Sequence, residues 1–438
     1  MWTGSAAENL QKGSYQNESY YTIQTDCFVG VLKIVEMLFY IISIFILYLI
    51  WTLYHDYMHP AFITVAVWLA IVGFYNYLIR KTEIWIPLSD TFYIVVIIYV
   101  LFFSVFSGIL SSQKFNGSVA VHISFNLKHI FLLYISLLCL FVSNAYYINV
   151  IRRVGFSVVR EEIEFGNALP MYVKASSYML VPGIILFFLG ISTDLNRRKY
   201  KILLFVLAVM ILISCFTSTN KGSFFQLAIC SFYFLKTNNK LNKKTFLCLV
   251  LVFLGLVIFL QILRSGDESS KNNFFTRFLY VYFLSPVPAF DAVISGEKDL
   301  HSPYFGCWTL AFFYRIFNKL GFLDVNPSSL LKAKKWIGVP YATNVYTMPG
   351  YFYIDFGIIG IIVCALLYGG IFGKLYSSIK YRRSASSTIF YALYLYCLVF
   401  QFFGDWFFGF FSVTFQTLVW LFVLTHTFKT YALRYYHD

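Results

Sequence analysis

Three ionisable residues adjoin long apolar segments of the sequence, where an uncompensated charge is costly. Asp355 lies near the start of one segment, Arg264 at the end of another, and His301 in the stretch between them. Histidine and aspartate can take a proton from a hydroxyl group, and arginine can bind an anion through paired N–H donors. Because ionisable residues at membrane depth are functional candidates by default, we take these three as candidate catalytic residues.

Further basic residues lie beside apolar segments and would suit a diphosphate or another anionic ligand. They are Arg152, Arg153, Arg160, Lys221, Arg277 and Arg315. The net charge of +14 also has a general explanation, because cytoplasmic loops of membrane proteins are basic and face anionic lipid. That explanation does not extend to basic residues on the extracytoplasmic face of the membrane, so we predict an anion-binding role for them.

The composition defines the elements that must position these residues. Hydrophobic residues make up 59% of the 438 residues and charged residues only 12%, which a water-soluble fold would not tolerate. The apolar runs are continuous rather than alternating, which favours membrane-spanning helices over barrel strands. We predict an all-α polytopic integral membrane protein with about 11 to 12 transmembrane helices. The predicted spans are 29–53, 60–79, 91–111, 129–151, 172–191, 202–217, 223–236, 246–263, 353–375, 387–404 and 406–427.

The loops between these spans define the predicted domain organisation. Residues 1–28 form a polar N-terminal tail, and residues 29–438 form a single transmembrane domain. Lys and Arg are about twice as frequent in one set of short loops as in the other, which predicts a cytoplasmic C-terminus. Two longer loops, 152–171 and 264–350, are then extracytoplasmic. An odd number of spans would put the N-terminus outside the cell, which is unusual. An unrecognised twelfth span therefore stays open.

The large loop 264–350 is rich in Phe, Tyr and Trp, which argues against disorder. We expect it to pack as short helices over the mouth of the helix bundle, so that loop and bundle enclose a cavity. Asp405, in the sequence "FFGDWFFG", occupies a different outward turn, and turn propensity alone explains it.

The sequence also argues against several functions. Basic residues are scattered between spans without a compact basic domain, so nucleic acid is not an expected partner. There is no CxxC, HExxH, Walker or GxSxG motif. Zinc chemistry, ATP hydrolysis and serine-hydrolase chemistry therefore lack sequence support.

Four sequence blocks resemble those of a known family. They are "HPAFITVAVWLA" at 59–70, "TSTNKGSFFQLAIC" at 217–230, "SPYFGCWTL" at 302–310 and "TNVYTMPGYFYIDFGIIG" at 343–360. In these blocks and in its span layout from Tyr54 to Phe428, the chain resembles the Wzy-type polymerases of O-antigen and capsule repeat units. It departs from the family at Lys221-Gly222, where many relatives have Arg-Gly. Lysine keeps the charge but loses bidentate recognition of phosphate.

The resemblance implies a bacterial inner-membrane glycosyltransferase with a fold similar to the GT-C-like integral-membrane transferases. It would polymerise undecaprenyl-diphosphate-linked oligosaccharide repeat units into O-antigen or capsular polysaccharide at the outer face of the membrane. No cofactor and no metal are expected, because relatives are described as metal-independent. The implied partners are the lipid-linked oligosaccharide and membrane lipids, and the resemblance leaves room for a chain-length regulator protein.

The implied reaction gives each candidate residue a role. Arg264 and the other basic residues would balance the charge of the leaving diphosphate. His301 would act as a base or position the acceptor hydroxyl. Asp355 would accept a hydrogen bond from a sugar, pair with an arginine of the loop or act as the general base, and these alternatives stay open. Sugar hydroxyls and sugar faces would be bound by its neighbours Asn344, Tyr346 and Tyr353.

Other functions fit the same pattern. An O-antigen ligase uses the same donor and a similar architecture but transfers the chain to lipid A core. A lipid-linked oligosaccharide flippase, or another transporter, predicts internal repeats and a polar site on broken helices at the membrane midplane. The sequence contains no evident repeat and gathers its polar residues in one large loop. Both alternatives nevertheless stay open.

Overall fold

The computed structural model describes residues 34–81, 86–113, 127–156, 169–192, 198–217, 221–237, 241–264, 280–298, 300, 302, 304–323, 337–339, 342–382 and 384–435. Long apolar runs form helices, because a helix satisfies its backbone N–H and C=O groups internally. In chain order these are α1 (Ile34–Tyr54), α2 (Pro60–Ile79), α3 (Asp90–Ser112), α4 (Leu127–Val154), α5 (Met171–Ser177), α6 (Leu180–Ser192), α7 (Arg198–Thr217), α8 (Lys221–Thr237), α9 (Lys243–Arg264), α10 (Pro286–Ile294), α11 (Ala311–Lys319), α12 (Met348–Arg382), α13 (Ala385–Val399) and α14 (Phe411–Tyr435).

Each of the eleven predicted spans overlaps one of these helices, or the pair α5 and α6. Within the described residues, seven helical segments are long and apolar enough to cross a membrane: α1, α2, α3, α4, the α5–α6 pair, α7 and α12. Two shorter apolar helices, Ala385–Val399 and Phe411–Thr425, accompany them. The prediction of an all-α polytopic membrane protein is therefore confirmed. The predicted tail 1–28 lies outside the described residues.

Short elements occupy the described part of the predicted loop 264–350. A π-helical turn, Tyr280–Leu284, leads into α10, and α11 follows. Two short strands, β1 (Ile337–Gly338) and β2 (Ala342–Thr343), pair antiparallel. Every residue of α10 is buried, and the ring of Phe290 lies 6.0 Å from that of Phe92 in α3. Helix α10 thus packs against α3 of the bundle.

The ends of the bundle are defined by the residues that meet there. The end that contains the α1–α2 connection, 55–59, is called the Asp56 end. Its helices are joined by the bonds Tyr54 Oη to Gly108 O, Ser377 Oγ to Gln113 O and Tyr391 Oη to Met58 O. The opposite end contains residues 86–89, α10 and Asp355 of α12, and it is called the Asp355 end.

Helix α12 is broken, which corrects the continuous span predicted at 353–375. Gly357 has φ 64° and ψ −152°, a conformation that is essentially restricted to glycine. The break divides α12 into a first arm, 348–356, and a second arm, 358–382. In one straight helix, Phe352 and Tyr368 would lie about 24 Å apart. Their ring centroids are 6.3 Å apart, so the first arm folds back on the second.

The fold-back carries the first arm into the interior of the bundle. Tyr376 bonds to Asp56 at one end of the bundle, and Tyr368 lies two helical turns, about 12 Å, further in. Phe352 packs on Tyr368 at this depth. Met348, at the start of the arm, is fully buried and donates its backbone N–H to Gln401 O at 2.7 Å. The first arm therefore runs from the middle of the bundle towards the Asp355 end.

A second irregular segment, 400–410, meets the first arm. The predicted spans 387–404 and 406–427 placed most of it in helices, but α13 ends at Val399 and α14 begins at Phe411. The ring of Phe408 lies 5.7 Å from that of Tyr368 and 5.8 Å from that of Phe352. Non-helical backbone is tolerated at membrane depth only where protein or a water-filled cavity surrounds it. Packing between the two segments meets that condition.

Small residues allow α12 to approach α3 closely. A Cβ atom added to Gly369 would lie 2.8 Å from Phe103 O, and one added to Gly373 would lie 2.7 Å from Ser107 O. Glycines four residues apart are a common means of close helix contact in membranes, where lipid offers no hydrophobic driving force between helices. The pair fixes the second arm of α12 against α3.

A polar network joins three helices at the Asp56 end. Lys236 Nζ of α8 lies 2.6 Å from Asp56 Oδ1, and Tyr376 Oη of α12 donates to Asp56 Oδ2 at 2.9 Å. Burial acts to raise the pKa of Asp56. Bonds from the Lys236 ammonium, the Met58 N–H and the Tyr376 hydroxyl outweigh burial and lower that pKa below its ordinary value. The carboxylate therefore stays ionised.

His59 begins α2 beside this network and is fully buried. Its ring stacks on Tyr54 with centroids 4.0 Å apart, and Nδ1 accepts the N–H of Ala61 at 3.3 Å. Burial lowers the pKa of His59 from 6.5 to about 3; the Asp56 carboxylate opposes this shift, and Lys380 adds to it. The imidazole is therefore neutral at neutral pH.

This neutral histidine predicts a pH dependence of stability. Between pH 6.5 and about 3 the unfolded chain binds a proton at His59 that the folded chain does not. The stabilisation is thus complete above pH 6.5 and falls by about 1.4 kcal/mol per pH unit below it. We expect His59→Asn, which keeps a cap for α2, to weaken this dependence in heat-unfolding midpoints of the reconstituted protein.

His55→Asn is the matched control, because His55 lies in the same connection and is exposed. It should retain the acid sensitivity of the wild-type protein. Equal loss of stability on acidification in wild type and His59→Asn would contradict the prediction.

Candidate functional site

Asp355 lies in the last turn of the first arm of α12, two residues before the break at Gly357. Its carboxylate accepts the N–H of Trp308 at 3.1 Å and the N–H of Thr309 at 2.7 Å. The hydroxyl of Thr309 donates to the same carboxylate at 2.8 Å. Both oxygens of Asp355 are therefore bound by the turn that precedes α11.

That turn is built by the block "SPYFGCWTL". Gly306 has φ 66°, and Leu310 N–H donates to Gly306 O at 2.7 Å, which closes the turn before α11. Ser302 N–H donates to Ile354 O at 3.2 Å, so a backbone bond accompanies the carboxylate bonds. Two blocks that carry the family resemblance thus meet at Asp355.

The charge of Asp355 is compensated by hydrogen-bond donors. Within the described residues no ion pair links it to an arginine, and backbone amides with one hydroxyl supply the compensation for its charge. The bonds fix the carboxylate, and they favour a positioning role over proton transfer.

Two other buried carboxylates follow the same pattern. Asp405 accepts the N–H groups of Phe407 and Phe408 at 3.0 and 2.9 Å and is also bound by the hydroxyl of Tyr368. Asp291 of α10 accepts the N–H of Ser89 at 2.8 Å, at the N-terminus of α3. Asp405 therefore does more than make a turn, because it ties segment 400–410 to the second arm of α12.

The predicted sugar-binding neighbours of Asp355 have different exposures. Tyr346 is fully buried in a small cluster with Ala289 and Ile337, so a sugar could reach its ring only after a rearrangement. Asn344 and Tyr353 are half-buried. These two retain surface that a ligand could contact.

Cys307 lies in the same turn but is not suited to be a nucleophile. Burial, together with the neighbouring Asp355 carboxylate, raises the pKa of its thiol above the ordinary value. The thiol form therefore dominates at neutral pH, and the reactive thiolate is scarce.

An apolar crevice lies between the Asp355-end halves of four other helices. It has a volume of about 460 Å³ and is lined by Ile148, Ile151, Arg152, Leu212, Ile213, Phe216, Thr217, Phe224 and Leu256. These residues belong to α4, α7, α8 and α9. Arg152 is the charged residue among them and lies in the last turn of α4. The wall of the crevice is thus almost entirely apolar, and Arg152 contributes to it at the C-terminal end of α4.

The other predicted site residues belong to several different segments of the chain. Arg153 follows Arg152 on α4 and is exposed. Arg315 is exposed on α11, on the helix that follows the Asp355-bound turn. Arg160, Arg277 and His301 lie outside the described residues, as do the side chains of Lys221 and Arg264. Because His301 and the side chain of Arg264 lie outside the described residues, the structure neither confirms nor contradicts their grouping with Asp355.

Sequence reasoning missed the partners of Asp355. Trp308 and Thr309 act through backbone amides, whose positions do not depend on residue type. The signal that could have found them is the turn sequence "YFG" directly before an amphipathic segment. Gly357 was also missed, because an isolated glycine in an apolar helical run is tolerated at a cost of only about 1 kcal/mol.

A metal site is not evident in the described part of the chain. There, no group of three or more His, Cys, Asp and Glu residues is placed to hold a metal ion. The buried carboxylates are instead bound by amide and hydroxyl donors.

Comparisons of the chain with models of protein families, with curated proteins and with solved structures give no significant match. The fold and site define the class of protein: a multi-pass, all-helical membrane protein with a broken helix that packs against a second irregular segment. A more particular assignment is made below as a proposal.

Proposed function

We propose that the chain polymerises undecaprenyl-diphosphate-linked oligosaccharide repeat units at the outer face of a bacterial inner membrane. The apolar crevice beside Arg152 is the observation that carries this proposal. Its wall suits a hydrocarbon chain, and a guanidinium group binds phosphate oxygens in pairs. A polyprenyl diphosphate combines these two features, and the product would be O-antigen or capsular polysaccharide.

The junction at Asp355 supports the same proposal. Two of the blocks that resemble the polymerases, 302–310 and 343–360, are separate in sequence but bonded to each other through Asp355. Blocks that are bonded to each other in the fold support the resemblance more strongly than separate short matches would. Partly exposed Asn344 and Tyr353 lie nearby in sequence and offer groups that bind sugar hydroxyls.

The proposed reaction breaks the bond between the anomeric carbon of the growing chain and its lipid diphosphate. A hydroxyl oxygen of the incoming unit forms the new bond, and its proton must pass to a base. Because Asp355 is occupied by the turn, His301 is the favoured base, and Asp355 holds the turn that follows His301. Arg152 and Arg264 are the favoured partners of the leaving diphosphate.

One observation favours a second candidate, a transporter of lipid-linked oligosaccharides. Broken helices near the membrane midplane are typical of transporters, and α12 is broken. However, Asp405 and Gln401 in the adjoining segment are buried and bonded within the protein, so they do not face a cavity. This favours the polymerase over the transporter.

A direct assay separates the candidates. Purified protein in lipid nanodiscs is given the lipid-linked repeat unit, and the products are sized by mass spectrometry. A polymerase yields lipid-linked oligomers, whereas a ligase or a flippase leaves single units. In cells, loss of the gene should replace the polysaccharide ladder by single-repeat capping, and an unchanged ladder would exclude polymerase, ligase and flippase together.

Arg152 gives a residue-level prediction. We expect Arg152→Gln to raise the KM for the lipid-linked substrate by about tenfold, because one charge-assisted bond to phosphate contributes roughly 1.5–3 kcal/mol. Arg153→Gln is the matched control, since Arg153 is adjacent but is not among the residues that line the crevice. A larger effect at Arg153 than at Arg152 would remove the crevice from the substrate path.

A further inference from the structure

Helix α11 is amphipathic. At 100° per residue, one arc of about 140° carries all of its large aliphatic and phenylalanine side chains together with the residue that follows it. These are Phe312, Phe313, Ile316, Phe317 and Leu320. The opposite side carries Arg315 and Asn318, and Lys319 lies at its border with the apolar arc. The helix thus has one apolar face and one basic, polar face.

The apolar face is not covered by the described part of the protein. Phe313 is 40% exposed, Phe317 45% and Leu320 61%. Phe322, in the turn after the helix, is 74% exposed. Continuous apolar surface of this kind marks a site of contact with lipid or with a partner.

This face continues the apolar outer surface of α14. The ring of Phe312 lies 5.3 Å from that of Phe411 and 6.1 Å from that of Phe415, in the first turns of α14. Phe415 is itself 51% exposed, and Phe422 further along α14 is 65% exposed. Exposed aromatic side chains along an apolar helix of a membrane protein face lipid. The two surfaces meet at the Asp355 end of the bundle.

We propose that α11 lies in the membrane interface and binds the lipid surface. Its apolar face rests among the acyl chains near the headgroups, and Arg315 and Lys319 contact phosphate groups of anionic lipids. Amphipathic helices with basic residues beside the apolar face bind membranes in this way. This inference does not depend on the proposed reaction.

The interfacial helix has a consequence for the Asp355 junction. Trp308 and Thr309, which bind Asp355, directly precede α11 in the chain. A helix anchored at the headgroup level therefore holds this turn, and with it the tip of the broken helix, at the same level. Arg315 then contacts lipid headgroups in general rather than a single bound diphosphate.

Photochemical crosslinking in the full-length protein tests the proposal. Phe313 or Phe317 is replaced by p-benzoylphenylalanine, and the protein is irradiated in bilayers of phosphatidylcholine and phosphatidylglycerol. We expect lipid adducts at both positions, with a yield within about twofold of that at Phe422, the lipid-facing reference on α14. The same group at Asn318, opposite the centre of the apolar face, should give at least about fivefold less.

The contribution of the two cations is measured in the same bilayers. Adducts at position 317 should be enriched in phosphatidylglycerol by about fivefold relative to position 422, as expected for one basic residue near an anionic surface. The double variant R315Q/K319Q should reduce this enrichment to the level at position 422. Equal enrichment in the variant and the parent would overturn the role of the cations.

The adduct at position 422 also reports whether each variant is folded and inserted. If position 422 forms lipid adducts while 313 and 317 form none, α11 does not lie in the membrane. Crosslinks from 313 or 317 to a second copy of the chain, or to another protein, would also overturn the proposal.

Discussion

Asp355→Asn is expected to abolish polymer formation and to lower the free energy of unfolding by about 3 kcal/mol. The carboxylate accepts two backbone N–H groups and one hydroxyl from the turn at Trp308 and Thr309. An asparagine side chain has one acceptor oxygen, and its amino group would face N–H donors. Leaving a half-buried donor without an acceptor costs about 1–3 kcal/mol, and a bond to a charged acceptor contributes about 1.5–3 kcal/mol.

Thr309→Val is the matched control for a positioning role. It removes the hydroxyl bond to Asp355 but keeps the shape of the side chain and the backbone N–H bond. We expect a loss of about 1 kcal/mol of stability and a reduced kcat with an unchanged pH profile. If Asp355→Asn is as stable as the wild-type protein and only its pH–rate profile changes, Asp355 is a general base and the positioning role is wrong.

Gly357→Ala is expected to inactivate the protein by straightening or displacing the first arm of α12. The backbone at Gly357, with φ 64° and ψ −152°, is accessible to glycine and very unfavourable for any residue with a Cβ. An added Cβ would meet no atom within 4 Å, so the cost is conformational rather than steric. We expect a loss of about 1–3 kcal/mol of stability, measured by heat unfolding in nanodiscs.

Two other glycines make this prediction specific. Gly360→Ala should be at least as harmful, because its Cβ would lie 2.1 Å from Phe352 O of the folded-back arm. Gly255→Ala in α9 is the neutral control, since its added Cβ meets nothing and alanine favours a helix by about 1 kcal/mol. Normal activity of Gly357→Ala would mean that the fold-back is not required for function.

The helices could be predicted because their signal is local. A run of about 20 apolar residues forms a helix in lipid unless surrounding protein satisfies its backbone, and each predicted span overlaps a helix. The importance of Asp355 was also visible, because an isolated carboxylate in "YFYIDFGIIG" needs compensation for its charge. The amphipathic pattern of "AFFYRIFNK" can likewise be read from sequence spacing alone.

The partners of these residues depend on contacts between distant parts of the chain. Asp355 is bound by residues 46 and 47 positions earlier, and amides of any residue type could have served. The break in α12 could not be predicted from the sequence for a related reason. One glycine shifts local helix preference by only about 1 kcal/mol, whereas packing of Phe352 against Tyr368 and Phe408 decides where the arm lies. Sequence by itself determined a helical membrane protein with a compensated carboxylate, and tertiary packing decided that backbone amides provide the compensation.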